Sequence, residues 1–93
     1  MVVGVQTFAL SLPGCGSLKE KRMVVKSLKD RIRHRFNVSV AETGSQDVWA
    51  RAEVTVAAVS ADRRLADSLL DRVDRFLVED GRVLVTTVRR ELL

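Results

Sequence analysis

Five cationic side chains, Lys19, Arg22, Lys26, Lys29 and Arg33, follow one another at spacings of 3, 4, 3 and 4 residues. On a helix turning about 100° per residue, that spacing keeps all five in one narrow sector. A line of positive charge matches a line of negative charge, so the chemistry it points to is contact with phosphates rather than readout of bases. The row is expected to lack acidic partners four residues on, so that its like charges repel. An anionic partner would relieve that repulsion. The bland alternative is a solvated helix face, and an acidic protein would satisfy the same charges.

Other chemistry-bearing residues are sparse. Lys21 falls outside the row, on the sector that should be buried. It either snorkels to water along its aliphatic stem or places its ammonium in a cleft beside the 13–17 loop. Gly14-Cys15-Gly16-Ser17 precedes a helix start, where free amides and the dipole can hold a phosphate. The pattern lacks the spacing of a P-loop, and a capping box between Ser17 and Glu20 uses some of those amides, so turn and cap is the better account. Cys15 is the single cysteine and His34 the single histidine. Opposite ends of one helix separate them by roughly 25 Å, which excludes a nucleophilic pair. The remaining carboxylates show no evident pairing, and metal binding needs more ligands than the chain offers. No catalytic residue, cofactor or metal is expected, and the chain is read as a binding protein and not an enzyme.

The row lies in SLKEKRMVVKSLKDRIRHRF, residues 17–36, which carries eight basic and two acidic residues. The rest of the chain carries eight basic and ten acidic residues, so the net charge of +4 comes from this one segment. A sequence pI near 10.0 favours a polyanionic partner. Leu18, Val25, Leu28, Ile32 and Phe36 give the segment an apolar stripe, and Asn37 is expected to end it in the left-handed conformation. A chain of 93 residues with 46% hydrophobic content suits one small domain with a single core, 1–93.

Around this helix the chain alternates like a sheet protein. Residues 2–12 read as a strand with Val2, Gly4, Gln6, Phe8, Leu10 and Leu12 on one face. Residues 38–43 and 48–59 read as two further strands, the second with Ala50, Ala52, Val54, Val56 and Ala58 inward. Residues 61–79 form a helix capped by Ser60 or Asp62. Its stripe is Leu65, Leu69, Val73, Phe76 and Leu77, and Asp67, Asp71, Arg72 and Arg75 belong to a solvated face with pairs such as Asp71–Arg75. Residues 82–90 form the last strand. The order β-α-β-β-α-β predicts an α+β, ferredoxin-like sandwich: a four-stranded antiparallel-type sheet with two helices on one face. Strands one and three are expected to be central and parallel, with two and four as antiparallel edges.

The open face of such a sheet would present Val3, Val5, Thr7, Ala9, Ser11, Arg51, Glu53 and Thr55. RNA-binding sheets of this topology stack bases on aromatic residues. Here only Trp49 is aromatic, at a strand end, so any RNA contact is assigned to the helix. The open face is better suited to a homodimer or a protein partner.

MVVG at the start, SLKEKRMVVKSLKDRIRHRFNVSVAE, DVWARAEVTVAAVSADR and the terminal TTVRRELL resemble the YlxP-like family of small bacterial proteins. The resemblance covers nearly the whole chain, and SLKEKR and RFNVSVAE carry most of its specificity. It implies a ferredoxin-like fold and no catalytic residues. Family members are often encoded beside translation and ribosome-maturation factors, which implies a role linked to RNA or the ribosomal subunit. The N-terminus alternates like a strand and lacks the positive start of a signal peptide. With one cysteine and no apolar run of membrane length, the protein is expected in the cytoplasm, away from membranes.

Overall fold

The computed structural model describes the backbone of residues 1–93 and all side chains except those of residues 87 and 88. Six elements follow in the order β1 (Val2–Ser11), α1 (Leu18–Arg35), β2 (Ser39–Gly44), β3 (Arg51–Ser60), α2 (Arg63–Glu79) and β4 (Leu84–Leu92). The sheet runs β2-β3-β1-β4, as the ferredoxin-like sandwich requires.

The central pair, β1 and β3, is antiparallel, with Val2 opposite Ser60 and Ser11 opposite Arg51. This corrects the parallel pairing expected from sequence. The β1–α1–β2 crossover returns β2 in the direction of β1, and the tight β2–β3 connection then reverses the chain. Strand β3 therefore enters between β1 and β2 against both, and every neighbour in the sheet is antiparallel.

Alternation places Phe8, Leu10, Leu12, Ala52, Val54 and Val56 beneath the helices. Val25, Leu28, Ile32 and Phe36 of the first helical stretch and Leu70, Val73, Phe76 and Leu77 of α2 close over them. The stripe of α2 differs from expectation at its start. Ala66 and Leu70 are buried, whereas Leu65 is 55% exposed. Asp62 is the N-cap, accepting the Leu65 amide at 2.9 Å, and the helical phase fixed by Leu70, Val73 and Leu77 turns Ala66 inward and Leu65 outward. Helix α1 ends on Phe36 in extended backbone, its amide bonded to the Ile32 carbonyl at 2.8 Å. The left-handed residue is Ser45 (φ 57°), in the β2–β3 loop, and not Asn37. That loop also takes Trp49 and Ala50 out of the strand.

Candidate functional site

Helix α1 is anchored at its N-terminus by the expected capping box. The Ser17 hydroxyl accepts the Glu20 amide at 3.1 Å. The Glu20 carboxylate returns to the amide of Gly16, at 2.7 Å, one residue earlier than expected. Two donors at this helix start are thus taken by the chain itself, which favours the cap over a phosphate loop. Cys15 is a partly buried free thiol that packs against the core.

The helix orients its cations by what each side touches. Arg33 donates to the Val40 carbonyl of β2 at 2.9 Å, whereas Arg31 lies against Phe76 of α2. The 19-22-26-29-33 row therefore runs along the β2 flank of α1. Lys19, Arg22, Lys26 and Arg33 are exposed and Lys29 is half-buried.

The row is not free of acidic partners. Asp30 stands four residues after Lys26, and its carboxylate accepts the Lys26 ammonium at 2.7 Å. Arg33 comes within 3.6 Å of the same carboxylate. The hydrogen bond from Lys26, then the charges of Lys26, Arg33 and Lys29, hold the Asp30 carboxyl below its ordinary range. Arg33 has a further structural task. With Gln46, which donates to the Glu42 carbonyl at 3.3 Å, it covers carbonyls of an edge strand that would otherwise invite another strand. Lys19, Arg22 and Lys29 remain with no carboxylate within 4 Å among the described residues.

Lys21 neither snorkels nor reaches the 13–17 loop. Its side chain is 0% exposed. The ammonium donates to the Ser45 carbonyl and sits 2.8 Å from Oε2 of Glu42. That oxygen lies off the hydrogen-bonding direction, so the pair is held by charge. A polar residue at an i, i+4 step from Val25 was the sequence signal for burial, and a carboxylate across on β2 is what makes burial tolerable.

A second buried polar group lies where the alternation of strand one puts it. Gln6, on the helix-facing side of β1, is fully buried. Its Oε1 accepts Arg90 Nε at 2.8 Å. Arg90 also meets Asp67 at 3.1 Å and Asp71 at 2.9 Å. Those two aspartates therefore tie α2 to β4, and Asp71 is bridged to Arg90 rather than to Arg75. At the far end of α2, Asp80 accepts Arg82 at 2.9 Å and Arg31 at 3.4 Å. Hydrogen bonds from Arg82, then the charges of Arg82 and Arg31, hold its carboxyl below the usual range.

Among the described residues, no three His, Cys, Asp or Glu side chains gather to hold a metal ion, and no helix is long and apolar enough to cross a membrane.

Residues 3–90 match the family described as "Protein of unknown function (DUF503)". The chain belongs to this family. It is also 42% identical over 76 residues to the Bacillus subtilis (strain 168) protein called "Uncharacterized protein YlxP", covering 82% of this chain and 83% of that one. The fold brings the SLKEKR and RFNVSVAE segments together. Lys21 lies in the first and Glu42 in the second, and they meet as the buried ion pair.

Proposed function

We propose that the chain is a non-enzymatic, cytoplasmic binding module that engages ribosomal RNA through phosphates along the β2 flank of α1. The observation that carries this reading is the placement of Lys19, Arg22 and Lys29 in one sector with no carboxylate within 4 Å among the described residues. Lys26 adds a charge shared with Asp30, and Arg33 contributes its field while bonded to β2. The open sheet face offers no stacking platform among the described residues. Thr7, Thr55 and Thr43 bond one another across three strands there, at 3.1 and 2.7 Å, and Trp49 lies in the β2–β3 loop.

The test is equilibrium binding of a ribosomal RNA fragment across a salt series. Three or four neutralised phosphates give a slope of log K against log salt of about −2 to −4. Lys19→Glu with Lys29→Glu is expected to weaken binding at least tenfold and to flatten the slope. A flat series for the wild-type chain, or unchanged affinity in the double variant, overturns the reading.

A second reading has its own observation. One end of the open face is apolar: Val59, 69% exposed, stands opposite Val3, with Val5 and Ala57 beside them. Arg89 and Glu91 lie on the same face, opposite Thr7 and Val5. Apolar surface flanked by both signs of charge is self-complementary, and the occupant it fits is a second copy of this chain.

A further inference from the structure

The opposite flank of α1, toward α2, carries a different cationic cluster. Phe36 and Phe76 meet edge to face with ring centroids 5.9 Å apart, at 78°. Three guanidinium groups lie over this pair. Arg31 lies 5.1 Å from the Phe76 centroid, Arg72 lies 5.5 Å from the Phe36 centroid, and Arg35 lies 5.6 Å from both. Arg35 thus bridges its two neighbours. Arg75 lines the concavity of about 210 Å³ formed with Arg35, Arg72 and the two rings, and Glu79 lines it as its one carboxylate among the described residues.

A guanidinium over an aromatic ring is attracted by the ring's quadrupole, which takes up none of its N–H donors as a hydrogen bond to a carboxylate would. Its N–H donors lie in the plane, at the edge, and stay available for a planar or tetrahedral oxyanion. Contact with the two buried rings gathers these donors at one place before any ligand arrives, which lowers the ordering cost of binding. All four arginines remain exposed, although the rings beneath them are buried. Their charge is poorly offset. Arg31 reaches Asp80 at 3.4 Å, but that carboxylate already holds Arg82 at 2.9 Å. Arg35, Arg72 and Arg75 have no carboxylate within 4 Å among the described residues. The C-terminal dipole of α1 repels an anion with about half a charge, which four guanidinium groups outweigh.

We propose that Arg31, Arg35, Arg72 and Arg75 form a phosphate-binding site at the junction of α1 and α2, separate from the lysine row. It takes a terminal phosphate or short polyphosphate in bidentate fashion. The geometry distinguishes the two flanks chemically. The α1 row is mostly lysine, whose point charges are strung out along the helix and suit a diffuse backbone, whereas the second site converges four arginine forks that suit one phosphate group. The same chemistry serves a free polyphosphate and the phosphorylated end of an RNA strand.

The test is calorimetric titration of the full chain with inorganic pyrophosphate, and with one RNA oligomer carrying or lacking a 5′ phosphate. Arginine Nε–H resonances are followed in parallel. Wild type is expected to bind pyrophosphate saturably, with shifts at Arg35 and Arg72. Arg35→Lys and Arg72→Lys keep the charge and are each expected to weaken binding at least tenfold, with far-ultraviolet dichroism unchanged. Lys19→Glu with Lys29→Glu is expected to change it less than threefold, which separates this site from the α1 row. A preference of the 5′-phosphorylated oligomer over its dephosphorylated form assigns the phosphate to an RNA end. Equal binding of the two, with pyrophosphate still bound, assigns it to a free polyphosphate. Arg35→Lys and Arg72→Lys chains that bind pyrophosphate as wild type does, or the absence of saturable binding to pyrophosphate and to the phosphorylated oligomer, overturn the proposal.

Discussion

Replacing Lys21 by alanine would leave the Glu42 carboxylate facing a cavity, with no cation to balance it. Removing one member of a buried pair typically costs about 3–5 kcal/mol. Glu42 keeps 17% of its side chain exposed, so the lower end of that range is expected. Replacing both members, Lys21→Met with Glu42→Gln, removes the charges together and should recover most of the loss. Denaturant midpoints of Lys21→Met, Glu42→Gln and the double variant check this, and a double-variant loss equal to the sum of the two single losses would show that the pair is not coupled. A helical wheel puts Lys21 on the inner sector. Its partner, 21 residues away on another element, is decided by the sheet. The same holds for Gln6. Its inward position on β1 is plain from alternation, but Arg90 reaches it only because β4 pairs beside β1.

At the scale of elements, the approach of α2 to β1 depends on Gly4. A Cβ there would stand 3.0 Å from Leu70 Cδ1, 3.3 Å from Leu92 Cδ2 and 3.4 Å from Ala66 Cβ. Valine would press two more methyl groups into that seam. Overpacking of this kind costs about 1–3 kcal/mol, so Gly4→Val should lower the denaturant midpoint clearly. Gly14 is the control, since nothing lies within 4 Å of a Cβ built on it. Gly14→Ala is expected to change stability by less than about 0.5 kcal/mol. If the two variants were equally stable, α2 would not be seated on Gly4. The elements themselves were legible from periodicity, because six segments each repeat at a period near 2 or 3.6. Their ends were less so. Trp49 and Ala50 continue the alternation of β3 yet leave the strand, because the loop must turn through Ser45 and lay its carbonyl on the Lys21 ammonium.

At the scale of the whole molecule, the helices cover one side of the sheet and the other stays open. Ten residues at about 3.3 Å and four strands about 4.8 Å apart give a face of roughly 600 Å² in projection. A standard interface buries about 800 Å² of accessible surface per partner, so a dimer through this face must use most of it. Light scattering over a concentration series is the check. If the second reading holds, wild type forms a dimer at micromolar concentration and Val59→Glu is monomeric. A monomeric wild type removes it. The RNA reading and the arginine site do not depend on this outcome, since both lie on the helix side.

Composition and periodicity alone determined the six elements, their order, the ferredoxin-like class and the concentration of positive charge on α1. Each is a local property, set by residue type and by repeats of 2 or 3.6. Only the tertiary structure decided how that charge is divided. Packing against β2 commits Arg33 to an edge carbonyl, while packing against α2 gathers Arg31, Arg35 and Arg72 on two rings. It also decided the antiparallel centre of the sheet, because strand direction there follows from where β3 is inserted and not from any residue within it. The lysine row was visible as spacing. The arginine cluster was not, because its members come from two helices that no sequence period connects.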